Sequence, residues 1–144
     1  MSPLDVMDQT FVAAAPGQVA TELAGPRRWR RWWPDLQLTV VHDRGAAGIR
    51  WQVGGALVGT MEMWLEPVLD GTVVHHFLHA EGPSLAPRHI PAQVHIRRLQ
   101  AKRVAFEVKR TLEAGRQVGE PPGPPGGPHA SVGPSGGWLA GSHE

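Results

Sequence analysis

The chain has 144 residues, 41% of them hydrophobic and 19% charged, with a formal net charge of +1. That is enough apolar material for one domain with a buried core, and too little charge for wholesale disorder. The near-neutral balance selects neither nucleic acid nor an acidic surface as a partner. The absence of cysteine excludes a disulfide framework, thiolate metal ligation and thiol chemistry. The opening Met1-Ser-Pro-Leu-Asp-Val lacks the pattern of a secretory signal, and no apolar run approaches the roughly 18 residues needed to span a bilayer. A cytoplasmic protein is the expectation.

A strand is predicted from about Val6 to Ala13. A helix opening at Pro16 follows, with Val19, Ala20 and Leu23 on its apolar side. Gly25-Pro26 breaks the chain. A second short helix carries Arg27-Arg-Trp-Arg-Arg-Trp-Trp33 and stops at Pro34-Asp35. Next come strands at 37–42 and 49–53, turned by Asp43-Arg44-Gly45, then strands at 58–67 and 72–80 joined at Asp70-Gly71. A long helix is predicted from about Arg88 to Ala114, with Ala101, Val104, Ala105, Val108 and Leu112 as its buried stripe and Gly115 as its stop. The Gly119–Glu144 segment holds eight Gly and six Pro and reads as a disordered tail. Its one apolar pair, Trp138-Leu139, reads as incidental rather than as a docking peptide. The domain is therefore placed at 1–118 and the tail at 119–144.

If Asp70-Gly71 is the two-residue loop, Leu69 pairs with Thr72, Leu65 with His76 and Met63 with Leu78. Residues directly opposite share a face. One face then carries Met61, Met63, Leu65, Val74, His76 and Leu78 and should turn inward. The other carries Glu62, Trp64, Glu66, His75, Phe77 and His79 and should face water, with Trp64 near Phe77 and Glu62 across from His79.

This order of elements resembles the START-like helix-grip superfamily (SRPBCC), in its polyketide cyclase/dehydrase and lipid-transport branch. Three patches carry the resemblance: Phe11-Val-Ala-Ala-Ala-Pro16 with Val19 and Leu23, Trp29-Arg-Arg-Trp-Trp-Pro-Asp35, and Trp64-Leu-Glu-Pro67 with Asp70-Gly-Thr72. It implies an α+β helix-grip fold: a curved antiparallel sheet wrapped on a long C-terminal helix, with two short helices after the first strand. The family often has an aromatic residue where Ala20 stands. It usually has six strands between the short helices and the long one, whereas four are found here. The implied form is therefore shortened, with about five strands and a smaller, more open cavity.

The resemblance places a ligand site between the sheet and the long helix. The residues projected there are Trp33, Trp51, Met61, Met63, Leu65, Val74, His76, Leu78, Ala101, Val104, Ala105 and Val108. The methionines suit an adaptable pocket, and a dry core is the competing reading. His76 is the polar member of the face. It can anchor a polar ligand group or act as a general base, or it can be a satisfied core histidine. The core reading is favoured over catalysis because no partner carboxylate is visible on that face. His75 and His79 lie about 7 Å apart along one strand, too far to share an ion easily, so no metal and no cofactor is expected.

The leading reading is a binder of a small hydrophobic molecule. The first alternative is a polyketide cyclase or dehydratase with His76 as base and Arg50 or Gln52 near the mouth. The second is an interaction module presenting Arg97, Arg98, Lys102, Arg103, Lys109 and Arg110 from the long helix, although a solvated charged face is the usual meaning of such a run. Nucleic acid is not expected as a partner, since no recognition motif is present. Trp64 and Phe77 are a candidate homodimer surface.

Overall fold

The computed structural model describes residues 3–114, so the proposed tail lies outside the described residues. Strand β1 spans Pro3–Val12, and helices α1 and α2 span Pro16–Leu23 and Pro26–Trp32. Strands β2 (Leu36–Asp43), β3 (Gly48–Gly55), β4 (Val58–Val68) and β5 (Gly71–Glu81) follow, and α3 runs Ile90–Glu113. Prolines occupy the first turn of all three helices, where their missing N–H leaves no hydrogen bond unmade. A short 3-10 turn at Pro87–His89 occupies the position expected for the start of α3.

The five strands form one antiparallel sheet in the order β1-β5-β4-β3-β2. The chain thus returns from the β2–β5 meander to place β5 beside β1. One face of the sheet buries Leu4, Val6 and Val12 from β1, Trp51 and Val53 from β3, Met61, Met63 and Leu65 from β4, and Val74, Leu78 and Ala80 from β5. Ala101, Val104, Ala105 and Val108 of α3 are buried as the helical spacing requires. Val19, Leu23, Trp29, Trp32 and Trp33 extend the core beneath the short helices.

The β4–β5 register differs from the sequence expectation. Val68 pairs with Gly71, Pro67 with Thr72, Leu65 with Val74, Met63 with His76 and Met61 with Leu78. The loop is Leu69-Asp70, not Asp70-Gly71. Leu69 takes the left-handed conformation (φ 52°) and is fully exposed. Gly71 serves close approach instead: a Cβ there would collide with the Val12 carbonyl oxygen and the Phe11 ring. The slip is two residues, an even number, so the face assignments survive although the pairs do not.

The two sheet edges are treated differently. Along β1, Lys102 donates to the Gln9 carbonyl at 2.8 Å and Lys109 to the Phe11 carbonyl at 2.8 Å, while the N–H of Ala13 donates to Glu113 at 2.7 Å. Helix α3 thereby satisfies three open backbone groups at the C-terminal end of that edge. Along β2, among the described residues, no side chain does so.

Candidate functional site: the inner face of the sheet

Strand alternation and the wrapped helix bring the expected residues together. Trp51, Met61, Met63, Leu65, Val74, His76 and Leu78 share the buried face, with Ala101, Val104, Ala105 and Val108 opposite on α3. Trp33 sits over this face. Its ring lies 5.8 Å from that of Trp51 and 6.1 Å from that of His76. Trp29 meets Trp51 edge-on at 5.3 Å, and Trp32 meets Trp33 edge-on at 5.6 Å. The aromatic run of α2 is therefore the cover of the inner face at this end.

Two hydrogen bonds hold that cover in place. Trp29 Nε1 donates to the Leu23 carbonyl at 2.6 Å, and Trp32 Nε1 donates to Glu107 of α3 at 3.1 Å. Arg31 forks onto the same Glu107 carboxylate at 2.9 and 2.6 Å. These partners hold the Glu107 carboxyl below its ordinary range.

His76 is buried on the inner face. It is flanked by Met63 on β4 and Asp8 on β1. Burial pushes its imidazole down to a pKa of about 4, and the Asp8 carboxylate opposes that shift. The ring is therefore neutral at physiological pH. Its Nδ1 has no hydrogen-bond partner, and neither has the buried Trp51 Nε1. Two unpaired polar atoms thus stand among the apolar side chains of the inner face.

The expectation that no carboxylate shares the face with His76 is corrected by Asp8. Along β1 the buried side reads Leu4, Val6, Asp8, Thr10, Val12, and Asp8 stands directly opposite His76. Lys102 reaches from α3 to Asp8 Oδ1 at 3.1 Å and to Thr10 Oγ1 at 3.0 Å. The signal was present in the alternation of β1, but the cross-sheet partner of β1 is not encoded locally.

No protein-family model matches the chain, and no curated protein matches its sequence. Solved structures do match. The Aha1 dimer from Colwellia psychrerythraea superposes with a TM-score of 0.59 at 15% identity, covering 79% of this chain and 99% of that one. The protein SSP2350 from Staphylococcus saprophyticus gives 0.57 at 13% identity, covering 77% and 93%. The Polyketide_cyc-like protein Cgl2372 from Corynebacterium glutamicum gives 0.51 at 17% identity, covering 78% and 93%. With its short helices, antiparallel sheet and long final helix, this chain has the α+β helix-grip fold.

The helix that does the gripping spends half its basic residues on the fold, which corrects the expectation of a single cationic face. Arg97 is only 4% exposed. It clamps Asp35 at 3.1 and 2.7 Å, Gln93 at 2.7 Å and Gln100 at 2.9 Å. The guanidinium holds the Asp35 carboxyl below its ordinary range. Lys102 and Lys109 reach β1. Arg98, Arg103 and Arg110 remain exposed.

The outer face of the helix grip also departs from expectation. Trp64 stacks on His75 at 4.4 Å rather than on Phe77, because the observed register makes Trp64 and His75 cross-strand partners. His75 is buried between its neighbours and bonds Glu66 at 2.8 Å. Glu62 lies across from Phe77, not His79, and pairs with Arg44. His79 pairs with Asp5. Open clefts of about 340, 280 and 270 Å³ lie beside Arg97 and Leu57, between α1 and the start of β3, and beside Met7 and Phe77. Among the described residues, no helix is long and apolar enough to cross a membrane.

Proposed function

We propose that this chain binds a small hydrophobic molecule on the inner face, between the sheet and α3, with Trp51 and His76 meeting a polar group on the ligand. The observation that carries this reading is the pair of buried, unpartnered atoms, Trp51 Nε1 and His76 Nδ1. A buried donor without an acceptor costs about 1–3 kcal/mol, and a ligand oxygen on Trp51 would recover it. Met61 and Met63 give the same face side chains that repack without branching constraints. Trp33 would have to swing aside for entry. The structural likeness to a Polyketide_cyc-like protein is consistent with a ligand-binding role.

The alternative of a cyclase or dehydratase with His76 as base gains a carboxylate, Asp8, on the same face. It loses on basicity, since a conjugate acid of pKa about 4 is poorly matched to proton abstraction at neutral pH. The interaction-module alternative has lost Arg97, Lys102 and Lys109 to internal partners.

Native mass spectrometry of the full chain purified from cells tests the proposal. A bound small molecule should accompany the wild-type protein and be depleted in Trp51→Phe and His76→Leu variants that melt normally. A wild-type protein that carries nothing, and whose melting and tryptophan emission do not respond to apolar carbonyl compounds, would overturn it.

A further inference from the structure

The two edges of the sheet differ in a way that bears on assembly. From Gln9 to Ala13 the β1 edge is capped by Lys102, Lys109 and Glu113. The β2 edge ends the sheet, and among the described residues no further strand pairs with it. From Leu36 to Val41 it reads Leu-Gln-Leu-Thr-Val-Val, with no charge and no proline, the usual devices that blunt an edge. Val40 and Val41 are 42% and 50% exposed. Val40 belongs to the inner face, where it lies beside Trp51.

We propose that β2 is a pairing strand for a second copy of this chain. Two β2 strands run antiparallel about a two-fold axis through Thr39 and join the two sheets into one. That register sets Thr39 against Thr39 on the outer face and Leu38 against Val40 on the inner face. Both kinds of pair are favourable across strands. A two-fold axis perpendicular to the sheet keeps each side chain on its own face, so the inner faces become continuous. The partner's Leu38 then covers Val40 at the margin of the candidate site.

Two features favour a second copy over an unrelated strand. The segment sets no like charge against itself. Pairing β2 with itself uses both β2 edges, and α3 caps the β1 edge from Gln9 to Ala13, so association stops at a closed pair instead of growing into a fibre.

The absence of cysteine makes the surface directly mappable. Directly opposite strand residues have Cα atoms about 4.5–5.5 Å apart, inside the range a disulfide spans. Thr39→Cys, Met7→Cys and Leu99→Cys place single thiols on the β2 edge, the outer face of the sheet and the exposed side of α3. Under mild oxidation of the full chain, only Thr39→Cys should give a linked dimer. Sedimentation of the wild type should show a dimer at about 100 µM, above the micromolar affinity expected of a small interface. Val40→Lys, folded by circular dichroism, should raise the dissociation constant at least about tenfold. A monomer at all concentrations, equal linking of Met7→Cys or Leu99→Cys, or a Val40→Lys protein that dimerises like wild type would each overturn the proposal.

Discussion

Replacing His76 by leucine separates its pH-dependent contribution from everything else in the core. Between its free pKa of 6.5 and its folded value of about 4, the unfolded chain binds a proton that the folded chain refuses. Stability therefore falls as pH falls through that window. The full displacement corresponds to about 3 kcal/mol, at about 1.4 kcal/mol per pH unit where the slope is greatest. Above the free pKa both states are neutral and the contribution vanishes. Glu22 runs the other way: burial raises its carboxyl pKa, so its folded form gains stability as it protonates. Both proteins share Glu22, Asp35 and Glu107, so the difference between wild type and variant isolates the imidazole. Urea unfolding from about pH 8 to pH 4, read as a two-state transition, measures it. The wild type should lose about 3 kcal/mol more than His76→Leu over the range. At the alkaline end the variant should equal or exceed wild type, by about 1 kcal/mol, because Nδ1 has no partner to lose. Parallel stability curves would refute the argument, since they would mean that the buried imidazole is as easily protonated as a free one.

The Arg97–Asp35 clamp should be expensive to break, because Arg97 is almost wholly buried while Asp35 is half exposed. Asp35→Ala is expected to cost about 2–4 kcal/mol near neutrality, with the deficit shrinking as pH falls below 3.8, where the free carboxyl protonates; denaturation at both ends checks it. Lys102→Met removes the cation from the nearly buried Asp8 carboxylate and uncaps the Gln9 carbonyl. A loss of about 2 kcal/mol is expected, with Lys109→Met milder because its contacts are more exposed. Gly48 adopts φ 125°, and a Cβ there would collide with the Met63 carbonyl. Gly48→Ala should therefore cost more than about 2 kcal/mol, seen as a lowered melting temperature, whereas Gly45→Ala, with open space around it, should cost less.

The element order, the strand alternation and the buried stripe of α3 were legible in the sequence, because each rests on neighbours within a few residues. The inner-face set of Met61, Met63, Leu65, Val74, His76 and Leu78 was legible for the same reason, and it survived a misplaced loop because an even slip preserves faces. The exact loop was not legible. Asp70-Gly71 is a strong local turn signal, but Gly71 is required where β5 passes close to Val12, a contact some 60 residues away in the chain. Asp8 was overlooked as the neighbour of His76 because strand alternation gives a face but not a partner strand. Arg97, Lys102 and Lys109 read as solvated cations because nothing local reveals Asp35 or the β1 edge. Periodicity, turn residues and helix stops are local properties, and the sequence by itself determined a helix-grip order with one apolar sheet face. Which strand lies beside which, and hence which charges are neutralised and which polar atoms are left unpaired, depends on long-range packing that only the tertiary structure decided.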